Sequence, residues 1–119
     1  MNIVLLEPLG VSQEMLDNLA QPLVQAGHTF TAYPKSTDPQ VQIERAKDAD
    51  VLMLANMPLS GQVIRACKHL QFIDVAFTGV DHVDLQAAQE IGAAVINAAG
   101  YSAQAVAELS VCMMLSLLR

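Results

Sequence analysis

At 119 residues the chain is sized for a single domain that buries roughly two-thirds of its unfolded surface, and a 53% apolar, 15% charged composition excludes a disordered tail. The net charge of −6, with six Lys and Arg scattered along the chain, leaves no basic stripe for phosphates and excludes nucleic-acid binding. With three Phe, two Tyr and no Trp, the core has to be aliphatic.

In chain order, Ile3 to Leu6 is a continuous aliphatic run bounded by Pro8 and Gly10, the mark of a strand buried on both faces. Ser12 caps a helix carrying Met15, Leu16, Leu19 and Leu23 at helical spacing and ending at Gly27. Pro22 is expected to kink or restart it, since proline lacks the donor the helical ladder needs. His28 to Tyr33 alternates polar and apolar residues, as a strand near a sheet edge does. Asp38 and Pro39 supply an N-cap and a first-turn proline for a helix with Val41, Ile43 and Ala46.

Val51 to Leu54 is a second fully apolar strand; Pro58 and Ser60-Gly61 precede a short helix around Val63, Ile64 and Cys67. Phe72 to Phe77 is a further strand, and Asp84 caps a helix with Leu85, Ala88 and Ile91 that Gly92 stops. Ala94 to Ile96 is the last strand, and Ser102 to Leu118 is a long apolar helix. Strands alternating with helices, several of them apolar on both faces, predict an α/β fold. The expected form is a flavodoxin-like open parallel sheet of five strands, order 2-1-3-4-5, with helices on both faces.

Cys67 and Cys112 fit no metal or redox spacing and fall in apolar helical patterns, so both are expected to be small buried hydrophobes in a reducing cytoplasm. The first residues lack the basic region of a signal peptide. Ala105 to Leu118 is shorter than the ~20 residues a bilayer requires and contains Glu108, Ser110 and Ser116, so no membrane span is expected.

Ligands of open parallel sheets bind outside the carboxyl ends of the strands. Three segments fall there: Glu7-Pro8-Leu9-Gly10, Ala55 to Leu59, and Phe77-Thr78-Gly79-Val80-Asp81. A glycine turn such as the third can present backbone N–H groups to a carboxylate or phosphate, or Gly79 can merely shape the turn while Asp81 and Asp84 cap. His28 and His69 are expected at the surface and His82 follows the glycine turn, while Arg45 and Arg65 fall on solvated helix faces. No catalytic triad, metal motif or acid pair emerges, and neither G-x-G-x-x-G nor G-x-x-x-x-G-K-[ST] occurs.

Phe72 to Arg119 resembles the D-isomer-specific 2-hydroxyacid dehydrogenases. The likeness rests on Gly79-Val80-Asp81-His82-Val83-Asp84, Ala87-Ala88, Gly92 to Asn97, Ala105-Val106-Ala107-Glu108 and Arg119, with Met57 to Ser60 upstream. The resemblance implies residues 1–101 as a substrate (catalytic) domain and 102–119 as a helix connecting to an absent Rossmann NAD domain. It implies a substrate wall of Asn56, Met57, Phe77, Thr78 and Gly79 for a small 2-keto or 2-hydroxy acid, with Thr78 and Val106 near the cofactor. The family's catalytic Arg, Glu and His belong to the missing part, so no catalytic residue is assigned here. Many members carry a second glycine where this chain has Phe77, which puts pocket size in question.

NAD or NADP would then serve the full-length parent and not bind this chain tightly, and the chain alone is expected to be inactive. The apolar last helix implies a homodimer. The alternative is a non-enzymatic flavodoxin-like interaction or signalling module that self-associates through that helix. A receiver would need clustered acids after the first strand and a phospho-accepting Asp after the third, where Glu7 and Asn56 stand.

Overall fold

The computed structural model describes residues 1–118, so Arg119 of the family-like pattern lies outside the described residues. Strands β1 (Asn2–Leu5), β2 (Thr29–Ala32), β3 (Val51–Leu54), β4 (Phe72–Val75) and β5 (Ala94–Asn97) form one sheet in the order β2-β1-β3-β4-β5. Every pairing is parallel; Ile3 lies opposite Phe30 and Val51, and Ile73 opposite Leu52 and Val95. The expected topology is the one that forms.

The helices are α1 (Gln13–Gln25), α2 (Pro39–Ala46), α3 (Gly61–Ala66), α4 (Leu85–Ile91) and α5 (Ala103–Leu117). Three begin where a side chain can satisfy an orphan N–H. Ser12 Oγ accepts from the Met15 amide at 3.2 Å, Asp38 Oδ1 from Gln40 at 2.9 Å, and Asp84 Oδ1 from Ala87 at 2.9 Å. Gly92 closes α4 with a left-handed φ of 77°, which favours glycine. Helix α1 neither breaks nor restarts at Pro22. Proline there strips a donor only from the Asn18 carbonyl, and both residues are exposed, so water can replace the lost partner.

Side chains alternate across each strand, which sorts the sheet into two unequal faces. Val4, Leu52, Leu54, Ile73 and Val75 enter one aliphatic core with Ala46, Val63, Ile64, Ala87 and Ala88 from α2, α3 and α4. On the reverse face, α1 gathers Leu16, Leu19 and Leu23 against Phe30 and Met53. The β4–β5 end of that face is open: Phe72 is 37% and Ile96 51% exposed. Asp74 lies on the same open strip, between Met53 and Ile96 in register, and partial burial pushes its carboxyl above the usual range.

Helix α5 has no buried residue, and the molecule is elongated, 55 × 33 × 23 Å. This corrects the expectation for Cys112, which is exposed because nothing covers the helix that carries it. Cys67 is buried as expected; its thiol contacts the Val63 carbonyl at 3.2 Å, and desolvation pushes its pKa up to about 11. His69 is exposed, and His28 sits at the sheet edge against the N-terminal ammonium at 3.1 Å. Arg45 is less solvated than expected: it donates to the Pro34 carbonyl at 2.7 Å and lies 4.9 Å from the Tyr33 ring centroid. Arg65 pairs with Glu90 at 2.8 Å on the surface.

Candidate functional site

The carboxyl ends of β1, β3, β4 and β5 share one edge, and the loops leaving β3 and β4 are stitched together there. Leu59 N–H donates to the His82 carbonyl at 2.9 Å and Asp84 N–H to the Leu59 carbonyl at 3.1 Å, making a short parallel bridge beyond the sheet. Gly61 closes the seam. A Cβ there would overlap Asp84 Oδ2 and Arg65, and would sit 3.1 Å from the Ala87 methyl.

At the end of β1 the chain places an acid directly behind an apolar strand. Glu7 is 3% exposed, and its Oε1 accepts three consecutive backbone N–H bonds, from Ala55 and Asn56 at 2.8 Å and Met57 at 2.7 Å. Its other oxygen meets Lys35 Nζ at 3.2 Å. Burial pushes the carboxyl upward, but the amides of Met57 and Ala55 together with Lys35 outweigh it and hold the group below the usual glutamate range. Glu7 is therefore an ionised side chain filling a backbone nest.

The turn after β4 is wired the opposite way. Its carbonyls are tied to β5: Phe77 O accepts from Ala98 N–H at 3.1 Å and Thr78 O from Asn97 Nδ2 at 2.7 Å. Across a trans peptide the N–H points opposite to the preceding C=O, so the Thr78 and Gly79 amides are directed away from β5. Among the described residues, no acceptor meets the N–H of Phe77, Thr78, Gly79 or Val80. Gly79 is not held in a left-handed conformation, and an added Cβ would meet only Asp81 Oδ2, at 3.6 Å. The fold itself does not demand glycine there, since the added carbon would make only ordinary contact with the Asp81 carboxylate.

The structure thus brings Phe77, Thr78 and Gly79 to the edge that also carries the Asn56 loop, while the exposed Asn56 side chain turns to the β2 side, its Oδ1 3.5 Å from Lys35 Nζ. Met57 departs from the expected wall: its side chain is fully buried in the core and its amide is held by Glu7, so it can only anchor the loop from within. Val106 lies on the exposed α5, 57% accessible. The His82 Nε2 is closed off from water without a hydrogen-bond partner among the described residues.

Glu7 and Asn97 hold the loops of this edge through hydrogen bonds that sequence reasoning did not assign. The available signal was a charged residue ending an all-apolar strand and an amide ending the last one. A cleft of about 290 Å³ beside Pro8, Val11 and Tyr33 has no charged lining that would recognise an acid. No group of three or more His, Cys, Asp or Glu among the described residues could hold a metal, and no described helix is long and apolar enough to cross a membrane.

In a 2-1-3-4-5 sheet the ligand crevice opens between β1 and β3. Here the anion-binding amides at that point already hold the Glu7 carboxylate.

Residues 3–111 match the family model for the D-isomer specific 2-hydroxyacid dehydrogenase catalytic domain. The chain is 32% identical over 92 residues to the glycerate dehydrogenase of Methylorubrum extorquens, covering 77% of this chain and 29% of that protein. It is 31% identical over 120 residues to the erythronate-4-phosphate dehydrogenase of Shewanella loihica, covering 100% of this chain and 29% of the relative. The NAD-dependent formate dehydrogenase of Staphylococcus aureus, solved with NAD, superposes with a TM-score of 0.83 at 28% identity, over 100% of this chain and 39% of that one. The NAD⁺-bound 3-phosphoglycerate dehydrogenase of Entamoeba histolytica gives a TM-score of 0.81 at 28% identity, over 96% and 38%. The chain spans about a third of the length of the proteins it matches.

Proposed function

Because this chain belongs to the D-isomer specific 2-hydroxyacid dehydrogenase family, by its catalytic domain, we propose that it is the substrate-binding lobe of an NAD(P)-dependent oxidoreductase acting on 2-keto and D-2-hydroxy acids. In this reading residues 1–101 form the substrate domain, and the segment 102–119, which contains α5, leads towards a separate Rossmann domain that carries the cofactor. The short span of the chain relative to its relatives supports that division. NAD would supply the hydride chemistry from that domain.

The observation that carries the proposal is the turn after β4, with amides at Phe77 to Val80 that no described group satisfies. A substrate carboxylate there gains two or more N–H bonds, and charge-assisted bonds of this kind are worth about 1.5–3 kcal/mol each. Phe77, 41% exposed, would cover one side of the bound acid, and Asn56 on the neighbouring loop would offer a neutral amide. The lobe binds and orients the acid, and closure against the cofactor domain would exclude water from it. Thr78 and Val106 are the positions of this lobe proposed to approach the nicotinamide. The parent is read as a cytoplasmic homodimer in which the largely apolar α5 is covered.

An NADH-oxidation assay with glyoxylate, pyruvate and hydroxypyruvate tests this. Turnover is expected from a protein carrying both lobes and not from the 119-residue chain. Clear oxidation by the chain alone would refute the division of labour; inactivity of the two-lobed protein on every 2-keto acid would refute the activity.

A further inference from the structure

The crevice at which a doubly wound sheet takes its ligand is the point where strand order reverses, here between β1 and β3. That point has the parts of an anion site: three consecutive backbone N–H groups converging on one spot, with a lysine at the rim. The chain fills the spot itself. Glu7 comes from the last turn of chain before Pro8, crosses to the β3 loop and is bound by residues some fifty positions away in sequence, at 2.7–2.8 Å. The neighbouring turn after β4 has the same kind of donors and, among the described residues, no acceptor. One sheet edge therefore carries two amide clusters, one closed by a resident carboxylate and one open.

We propose that Glu7 is a positioning and specificity-determining residue: its carboxylate plugs the switch-point nest, fixes the Ala55 to Met57 backbone, and confines small carboxylate ligands to the Phe77–Val80 amides. The inference rests on reading that turn as the acid-binding element. A residue at position 7 too short to reach the nest would leave the β3 amides open to a second anion, so the acid could dock one strand away from its productive place. The glutamate fits the nest better than a free acid does because it is tethered and pays no loss of translational freedom on binding.

The test is amide NMR on the 119-residue chain, wild type and Glu7→Ala, titrated with sodium formate against sodium chloride. In Glu7→Ala the Ala55, Asn56 and Met57 amide resonances should move together upfield as they lose a charged acceptor. Formate should then return them towards their wild-type positions, binding there about tenfold or more tightly than in the wild type. A purely structural role would give the shift without the formate rescue. Unchanged resonances in Glu7→Ala, no rescue, or equal formate responses of these three amides in both proteins would overturn the proposal.

If Glu7→Ala does not fold, Glu7→Gln serves. It fills the nest without charge, so the three amides should shift part of the way and ignore formate; wild-type positions would overturn the proposal. Oxamate, added separately, should move the Phe77–Val80 amides. Its failure to do so would refute the acid-binding turn and leave the result at Glu7 standing.

Discussion

Removing the Glu7 side chain tests how much of the edge is held by one carboxylate. Glu7→Ala takes the acceptor from three N–H groups and the partner from Lys35. Met57 is buried, so its amide has no water to turn to and bears the full penalty of about 1–3 kcal/mol. Ala55 is half-buried and Asn56 exposed, so their amides recover part of their bonding from solvent. Lys35 is 48% exposed, and its pair contributes at the low end, below about 1 kcal/mol.

The sum is a loss of about 3 kcal/mol for Glu7→Ala. For Glu7→Gln, which keeps a neutral acceptor, it is about half that, because charge-assisted bonds are roughly twice as strong. Urea unfolding followed by circular dichroism reads this directly. With a slope on the order of 1–2 kcal/mol per molar, the alanine midpoint should fall by roughly 2 M.

The acidic arm of the same experiment adds a second constraint. The folded carboxyl is held below its ordinary value of 4.5, so its contribution is fully present above that pH and is lost as pH falls through the depressed folded value. The gap between wild type and Glu7→Gln should therefore narrow steadily below pH 4.5. Equal midpoints for wild type and Glu7→Gln at pH 7, or a gap that persists undiminished into acid, would refute the reasoning.

Gly61→Ala should cost about 1–2 kcal/mol in the same assay, because the new methyl displaces the Asp84 carboxylate that caps α4; an unchanged midpoint would show the seam to be loose. Gly79→Ala should leave the midpoint within about 0.5 kcal/mol of wild type, since only Asp81 Oδ2 lies near the added carbon, yet weaken oxamate binding measured by NMR. Asp74→Asn should raise stability at pH 7, because burial holds the folded carboxyl above its ordinary 3.8 and the ionised form is disfavoured as pH rises past that value; a drop at pH 7 would reveal a missed partner. A chromogenic disulfide reagent at pH 8 should titrate Cys112 at once and Cys67 only after unfolding, its thiol being buried with a pKa of about 11.

How legible the chain was differs between fold and site. The parallel sheet could be read from Ile3–Leu6 and Val51–Leu54, because a strand buried on both faces has no polar residue to alternate. The helix caps at Ser12, Asp38 and Asp84 could be read as well, since capping is a contact between residues two or three apart. The turn from Phe77 to Asp81 is legible as a ligand edge only by its place after a strand, and its family resemblance supplies the rest.

What the sequence could not supply were the contacts that give the edge its polarity. The amides of Ala55 to Met57 belong to Glu7, some fifty residues away, and the carbonyl of Thr78 belongs to Asn97, nineteen residues on. Periodicity says nothing about such pairs. The family resemblance put Met57 in the wall and local pattern put Cys112 in the interior, because neither records whether anything stands over a residue. By itself the sequence determined element order, strand pairing and the family, which follow from short-range propensity and from patterns of burial. Only the tertiary structure decided which of two adjacent amide clusters is closed and which is open, because that depends on side chains and carbonyls that meet only once the sheet has formed.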